Sequence, residues 1–263
     1  MYYAGIDVGS LTAQAVVINA KGIVAYKSIG VKPHPVQSAK TVVDMLIQEQ
    51  GINWNEVKFC VSTGYGREQV QAEGLSQDNV SEISCHGMGA SWLVPDVRTV
   101  IDIGGQDAKV IRVGKGGELV DFVMNDKCAA GTGRFLEVQA RTLGLSLDEL
   151  GTVSFSAERT LELSSRCSIF CETEVLHYLQ RGHTKADIAA GVNRAMAERV
   201  AALVRRVGLE KEVTMSGGVA KNAAVRAELE RMLNVRLIKY DTDSQIVGAL
   251  GAALMARKMG GGS

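Results

Sequence analysis

Short apolar segments separated by turns fill the first sixty residues of the chain. Tyr2–Val8, Ala15–Ile18 and Ile23–Ser28 have the length and the bounding turns of β-strands. Val36–Gln50 instead carries apolar side chains at helical spacing and is followed by a glycine, so it predicts a helix. Val57–Ser62 predicts a further, buried strand.

Near residue 98 the chain starts a second time with the same pattern. Thr99–Ile103, Ala108–Val113 and Glu118–Val123 predict another set of three strands. In both sets the first strand ends in Asp, an apolar residue and Gly, at Gly5–Ser10 and again at Val100–Gly105. An internal repeat of this kind predicts a duplicated domain.

The remainder of the chain is predicted to be mostly helical. Helices are expected over approximately Gly133–Leu143, Ser168–Gln180 and Asp243–Arg257. A long helix is expected after Thr184, which stands in a variant of the capping-box pattern. Glu212–Met215 predicts one more strand.

These patterns predict an α/β fold of two related lobes, residues 1–97 and residues 98–259. The 29 glycines and only 3 prolines fit many tight turns around regular elements. Residues 260–263 read Gly-Gly-Gly-Ser, which is typical of an added linker and is left out of the fold prediction.

Composition and charge exclude several functional classes. The chain has 263 residues, 29 basic and 29 acidic side chains and a pI near 6.9, so it lacks the basic face of a dedicated nucleic-acid-binding protein. Hydrophobic residues make up 46%, which is enough for a folded core. No apolar run reaches the roughly 20 residues of a membrane span. The first residues lead directly into a strand, so no signal peptide is predicted and a cytoplasmic location is expected.

Three glycine-containing turns are candidates for nucleotide binding. The chain has neither a P-loop sequence nor a dinucleotide-binding Gly-x-Gly-x-x-Gly after its first strand. The turns after Asp7 and Asp102 let backbone N–H groups approach an anion, and the two carboxylates would suit a hydrated Mg²⁺. Met215–Ala220 adds a third such turn. Any one of them fits an ordinary hairpin, but the three together favour nucleotide binding.

The five cysteines are an odd number without a secretion signal, which favours reduced thiols over a disulfide framework. Cys60 lies in an apolar run and is expected to be buried. Cys128 and Cys167 each stand ahead of a predicted helix and follow a basic residue, which favours a reactive or metal-binding thiolate. The remaining two are Cys85 and Cys171.

Two thiols do not complete a metal site within one chain. Two from each of two chains would provide the four ligands of a 4Fe–4S cluster on a two-fold axis. A zinc site of Cys167, Cys171 and His177 is a less favoured alternative, because His177 is ten residues beyond Cys167 and would face elsewhere.

The three turns match the phosphate 1, phosphate 2 and adenosine motifs of the actin/Hsp70/sugar-kinase ATPase superfamily. That resemblance implies two ribonuclease H-like lobes with Mg-ATP in the cleft between them. Asp102–Lys109, Asn125–Phe135 and Met215–Asn222 more closely resemble the activators of 2-hydroxyacyl-CoA dehydratases, also called component A or archerases. Thr63–Arg67 and Ser81–His86 fit the same family, which includes the benzoyl-CoA reductase ATPase subunits.

The resemblance implies an oxygen-sensitive homodimer of anaerobic metabolism that shares one 4Fe–4S cluster, with Cys128 and Cys167 of each chain as ligands. It implies ATP-driven transfer of one low-potential electron to a partner iron–sulfur enzyme. That partner would be a dehydratase component or a related protein such as a double-cubane cluster reductase. A ferredoxin or flavodoxin would supply the electron.

Site residues follow from the turns and the resemblance together. The expected ATP contacts are Gly9, Ser10, Leu11, Thr12, Ala13, Gln14, Gly104, Gly105, Gly217, Gly218, Val219 and Gln245. Asp7 and Asp102 are expected around Mg²⁺, with Gln106 or Asp107 near the attacking water.

Two departures from the family pattern stand out. Gln14 replaces the lysine that usually ends the first loop, and Cys171 replaces an alanine after the second ligand. Cys171 could tune the cluster or serve as a spare thiol, although a packed small side chain is the favoured interpretation. Alternative functions are a small-molecule kinase of the same fold and, with less support, a chaperone-like ATPase.

Overall fold

The computed structural model of the chain describes residues 1–125 and 127–261. Asp126, next to the Cys128 segment, and the last two residues of the predicted linker lie outside the described residues. The chain divides into two compact units. The first contains Met1–Val100, Ile111–Asp121 and the segment from Tyr240 onward, and the second contains Ile101–Val110 and Phe122–Lys239. The predicted lobes, 1–97 and 98–259, remain a prediction.

The first sheet has five strands in the order β3-β2-β1-β4-β5. The central strand β1 pairs antiparallel with β2 and parallel with β4, and Asp7 lies opposite Gln14 in the β1–β2 register. The strands are β1 (Tyr2–Val8), β2 (Thr12–Asn19), β3 (Gly22–Gly30), β4 (Val57–Thr63) and β5 (Asp78–Asn79).

The second sheet repeats this arrangement. Its strand order is β10-β9-β6-β7-β8. Read from the β8 edge, this is the order of the first sheet, with β6 to β10 in the places of β1 to β5. The strands are β6 (Thr99–Ile103), β7 (Ala108–Val113), β8 (Leu119–Asn125), β9 (Val213–Ser216) and β10 (Leu237–Ile238). The prediction of a duplicated α/β fold is therefore confirmed.

Nine α-helices are found within the described ranges, and the predicted ones among them agree closely with the sequence pattern. They are α1 (Pro35–Gln50), α2 (Arg67–Ala72), α3 (Glu82–Leu93), α4 (Gly133–Leu143), α5 (Leu147–Val153), α6 (Ser168–Gln180), α7 (Lys185–Val207), α8 (Ala223–Leu233) and α9 (Val247–Met259). Short 3₁₀ turns cover Trp54–Glu56, Ser154–Ser156, Gly218–Lys221 and Ser244–Ile246. The last predicted helix therefore begins as a 3₁₀ turn, because Asp243 caps the Gln245 N–H before the α-helix starts.

In the first unit, apolar side chains lie on both faces of the sheet. Val42 and Leu46 of α1 share one hydrophobic cluster with Ile6 of β1. Leu250 of α9 shares a second cluster with Tyr3 of β1. Alternate residues of one strand thus belong to two different layers, as the two-residue period of a strand requires.

In the second unit, α7 is the central helix. Fourteen of its residues are buried, and it packs against α4, α5, α6 and α8. Thr184 caps it by accepting a hydrogen bond from the Asp187 N–H at 3.1 Å, which confirms the predicted start. Asp187 does not complete a capping box, because its carboxylate accepts the N–H groups of Glu158 and Arg159 instead.

A search of the described residues for a helix long and apolar enough to cross a membrane found none.

Glycine-to-backbone contacts let α9 approach its neighbours closely, and they generate a stability prediction. A Cβ on Gly251 of α9 would collide with the carbonyl oxygen of Cys85 in α3. We expect Gly251→Ala to destabilise the chain by about 2 kcal/mol, because an overpacking penalty of about 3 kcal/mol exceeds the helix-propensity gain of about 1 kcal/mol. Urea unfolding followed by circular dichroism measures the change.

Gly30→Ala is the matched control, because a Cβ there would meet nothing within 4 Å. We expect that variant to change the free energy of unfolding by less than about 1 kcal/mol. Equal stabilities of the two variants would contradict close packing at Gly251.

Candidate functional site

A buried ion cluster of Lys109, Asp102 and Asp107 lies behind the turn that follows β6. The Lys109 Nζ atom is 3.2 Å from Asp102 Oδ2 and 2.9 Å from Asp107 Oδ1. All three side chains are almost completely buried, with Lys109 only 2% exposed. Gly104 packs against the cluster, since a Cβ there would lie 2.6 Å from Asp107 Oδ1. Only a glycine at position 104 therefore lets the backbone of the turn lie this close to the carboxylates.

The third glycine turn converges on the same aspartate. Ser216, the last residue of β9, donates its hydroxyl hydrogen bond to Asp102 Oδ1 at 2.8 Å. Gly217 follows with a φ of 82°, and a Cβ on it would lie 3.0 Å from Asp102 Oδ1. Gly218 and Val219 continue into the 3₁₀ turn, Gly218 exposed and Val219 buried. Two of the three predicted nucleotide turns thus meet within the second unit, although more than a hundred residues separate them in sequence.

The two candidates for positioning water differ sharply. Gln106 is exposed at the tip of the turn next to Gly105, whereas Asp107 is 3% exposed. Within the described part of the chain, Asp107 Oδ2 is buried and has no hydrogen-bond partner. Both oxygens of Asp102, by contrast, already bind side chains.

In the first unit, Asp7 occupies the position in β1 that Asp102 occupies in β6. It is 7% exposed and lies between two glycines. A Cβ on Gly64 would collide with Asp7 Oδ1, and a Cβ on Gly248 would collide with Asp7 Oδ2. The Nε2 atom of His86 is 2.9 Å from that same point at Gly248, so His86 also lies near the carboxylate.

The first turn is closed by a hydrogen bond from the Gly9 N–H to the Thr12 carbonyl oxygen at 3.0 Å. Gln14 is buried, and its amide donates hydrogen bonds to Thr12 Oγ1 at 2.8 Å and Ser28 Oγ at 3.2 Å. The remaining predicted contacts of this unit are Ser10 and Leu11, half-buried in the turn, Ala13, buried in β2, and Gln245, half-buried in the turn before α9.

Cys128 and Cys167 differ in their relation to the following helix. Cys167 is the N-cap residue of α6, as predicted. Cys128 lies ahead of α4, as predicted, but in the loop four residues before the N-cap Thr132. Asn125 shapes this loop by donating to the carbonyl oxygens of Cys128 at 3.0 Å and Ala130 at 2.9 Å.

The fold brings the two cysteine segments together. The Cys128 Sγ atom lies 3.8 Å from the carbonyl oxygen of Arg166, the residue that precedes Cys167. Gln139 of α4 strengthens the contact by donating to the carbonyl oxygen of Ser168 at 3.1 Å. Two partly exposed thiols therefore lie on one surface of the second unit.

The other three thiols are buried. Burial raises the pKa of Cys60, of Cys85 and of Cys171 to about 12 in each case. Cys171 is 0% exposed and belongs to the hydrophobic core of the second unit, as the favoured interpretation expected. Across the described ranges no group of three or more His, Cys, Asp or Glu side chains is arranged to hold a metal ion.

Backbone hydrogen bonds join the second phosphate turn directly to α4. The N–H groups of Gly133 and Arg134, which open the helix, donate to the carbonyl oxygens of Gly104 at 2.9 Å and Gly105 at 2.8 Å. A Cβ on Gly133 would lie 3.0 Å from the Gly104 oxygen. The turn therefore presents its carbonyl groups to the helix that follows Cys128, and its position and that of the helix are coupled.

Sequence reasoning gave no role to several residues of this arrangement. Lys109, Asn125 and His86 all stand within the quoted motifs, but nothing in the sequence alone showed which atoms they contact. Arg199 was also missed, and its side chain packs over Gly131 in the Cys128 loop. A lysine inside a mostly apolar strand, which also contains Arg112, was the available signal of a buried charge.

Comparisons with known proteins identify the family of the chain. A model of the BadF/BadG/BcrA/BcrD ATPase family matches residues 4–256. The (R)-2-hydroxyglutaryl-CoA dehydratase activating ATPase of Acidaminococcus fermentans is 44% identical over 259 residues, covering 98% of each chain. The activator of the 2-hydroxyisocaproyl-CoA dehydratase from Clostridium difficile, solved with bound ADPNP, superposes with a TM-score of 0.93 at 38% identity and covers 99% of this chain and 96% of its own.

A more distant structure supports the fold class alone. A ROK family glucokinase from Streptomyces griseus superposes with a TM-score of 0.62 at 13% identity, covering 98% of this chain and the whole of its own. With the repeated sheet order, this likeness confirms the duplicated ribonuclease H-like fold of the actin-like ATPases. The match over nearly the whole sequence shows that the chain belongs to the BadF/BadG/BcrA/BcrD ATPase family.

Proposed function

We propose that the protein is an ATP-dependent activator that works as a homodimer and shares one 4Fe–4S cluster between its two chains. It passes one low-potential electron, received from a ferredoxin or flavodoxin, to a partner iron–sulfur enzyme. The names of its relatives favour a 2-hydroxyacyl-CoA dehydratase as the partner class. The observation that carries the proposal is the approach of Cys128 to the segment of Cys167, on the same unit as the two converging glycine turns.

The cysteine geometry fits half of a cluster site. Cys128 and Cys167 are both partly exposed and close together, and cysteine thiolates are the usual ligands of 4Fe–4S clusters. Two ligands from each of two chains complete the set of four. Ile169 and Phe170 follow Cys167 with 69% and 65% of their surfaces exposed, which is suited to contact with a second copy.

ATP is proposed to bind the three glycine turns, because the C. difficile activator was solved with ADPNP. The backbone N–H groups that follow Gly104 in this turn would hold phosphate oxygens, since the Gly104 N–H already donates to the Asp107 carbonyl oxygen. The Gly217 turn would lie against the nucleoside. Asp7 of the first unit and Asp102 of the second are the carboxylates proposed for a hydrated Mg²⁺, which would neutralise phosphate charge. The exposed Gln106 side chain is available to the phosphates from the tip of the turn.

Electron delivery requires that the nucleotide changes the cysteine surface. The hydrogen bonds from Gly133 and Arg134 to the Gly104–Gly105 turn provide a direct connection, since a shift of the turn displaces the start of α4. Switching such an equilibrium from 1:99 to 99:1 needs roughly 5.5 kcal/mol of differential ATP binding. When bound, the cluster would hold the single electron, and hydrolysis would make its transfer effectively one-way.

Cluster content tests the ligand assignment. Anaerobically purified wild-type protein should contain about four irons and four sulfides per dimer, and Cys128→Ala or Cys167→Ala should abolish both together with the visible absorbance. Cys171→Ala is the matched control, because that thiol is buried in the core and should leave the iron content unchanged. Retention of the full cluster by Cys128→Ala would overturn the assignment.

Thiol labelling tests the burial of the cysteines without any cluster. At pH 8, a thiol with a pKa of about 12 is ionised in only about one molecule in ten thousand, so Cys60, Cys85 and Cys171 should resist alkylation. We expect mass spectrometry to find two labelled cysteines in the native cluster-free protein and five in denaturant. Rapid labelling of a third cysteine in the native state would contradict the structure.

The second phosphate turn is tested by Gly104→Ala. Its Cβ would press on Asp107 Oδ1 at 2.6 Å, so the turn must shift, and kcat for ATP hydrolysis should fall on the order of 10- to 100-fold. Gly30→Ala, which meets nothing within 4 Å, is the control and should retain wild-type kcat. Equal kcat values for the two variants would exclude this turn from ATP hydrolysis.

A further inference from the structure

Lys109 is a buried lysine that has no assigned role in the proposed function. It lies on β7 with 2% of its surface exposed, and its Nζ atom contacts Asp107 Oδ1 at 2.9 Å and Asp102 Oδ2 at 3.2 Å. Burying an ammonium group is costly unless carboxylates compensate it. The two ion pairs give Lys109 a route to a bound nucleotide, through the aspartates that it holds.

The partners of the two aspartates separate their roles. Asp102 is held on both oxygens, by Lys109 on Oδ2 and by Ser216 on Oδ1. Asp107 is held on Oδ1 alone, and among the described residues nothing donates a hydrogen bond to its buried Oδ2. A buried acceptor without a donor is rare in folded proteins, and a bound water or ligand is the usual reason for one.

The unpartnered oxygen belongs to the turn that is proposed to hold phosphate. The Gly104 N–H donates to the backbone carbonyl of Asp107 at 3.0 Å, so Asp107 closes this turn. The Cα of Gly104 also packs directly on the Asp107 carboxylate. The carboxylate therefore cannot rotate freely: Lys109 fixes one oxygen, and the glycine limits the space beside it.

We propose that Lys109 is a positioning residue for ATP hydrolysis, which holds Asp107 so that its Oδ2 accepts a hydrogen bond from the attacking water. This inference rests on the proposed ATP hydrolysis at this site. In that step the water oxygen bonds to the γ-phosphorus and the bond to the bridging oxygen breaks. ADP leaves with that electron pair, and the water proton passes to phosphate and solvent.

Steady-state ATP hydrolysis by the full-length protein tests the role. Lys109→Met should lower kcat about 100-fold and leave KM for ATP within about threefold, because the lysine acts on the attacking water and not on nucleotide binding. Asp107→Asn should show a similar loss. The double variant should be no slower than the slower single variant. Lys109→Met releases the Asp107 carboxylate and Asp107→Asn replaces it, so both changes abolish the same positioned hydrogen-bond acceptor. Lys115→Met, the same change at an exposed site in the adjoining hairpin, should keep wild-type kcat.

Circular dichroism and binding of a non-hydrolysable ATP analogue are measured on each variant to verify folding. If Lys109→Met does not fold, the double variant of Lys109→Met and Asp107→Asn is compared with Asp107→Asn alone. The double variant lacks the Asp107 charge, so it leaves one buried carboxylate fewer without a cation than Lys109→Met does. Equal kcat values support the proposal, and a further loss of about 100-fold overturns it. Wild-type protein that binds but does not hydrolyse ATP would overturn the proposed function. Normal wild-type hydrolysis with an unchanged Lys109→Met variant would overturn only the role of Lys109.

Discussion

The second unit depends on one buried carboxylate, that of Asp102 at the end of the central strand β6. It binds Lys109 from β7 on one side and Ser216 from β9 on the other, so three neighbouring strands are joined at their ends by a single side chain. A buried ion without such partners costs several kcal/mol, and the cost fixes the pairing tightly. The turns after β6 and β9 are consequently held together before any ligand binds. The carbonyl groups of the first of these turns then hold the start of α4, on whose N-terminal side Cys128 lies.

Much of the fold could be predicted because local signals and tertiary structure agree. The predicted bounds of β6, β7, α4 and α6 agree with those of the structure, since glycine turns and caps delimit each of them. Helix α3 was missed for a physical reason. Its buried face consists of Cys, His, Ser, Ala and two glycines, so it has no apolar stripe. Close packing of one of these glycines, Gly89, on α9 compensates for its low helix propensity.

The candidate site was predictable in its residue types but not in its contacts. The glycine turns and the two cysteines carry signals that act over a few residues. The ion pair between Lys109 and Asp102, and the approach of Cys128 to Arg166, depend on how strands and helices pack over longer separations. The same limit applies to the distance between Cys128 and its helix. A cysteine shortly before a predicted helix can lie at its N-cap or in the preceding loop, and here Asn125 selects the loop.

The two halves of the fold also record how a duplicated sequence has diverged. The same seven residues separate Asp7 from Gln14 and Asp102 from Lys109, so Gln14 is the internal counterpart of the buried lysine. Gln14 still lies opposite Asp7 in the strand register and is equally enclosed, but its amide binds Thr12 and Ser28. The first half of the fold thus has the neutral Gln14 where the second half has the charged Lys109, and the strand order is the same in both sheets. The fold therefore requires a buried side chain at this position in both halves, but it does not require a charge there.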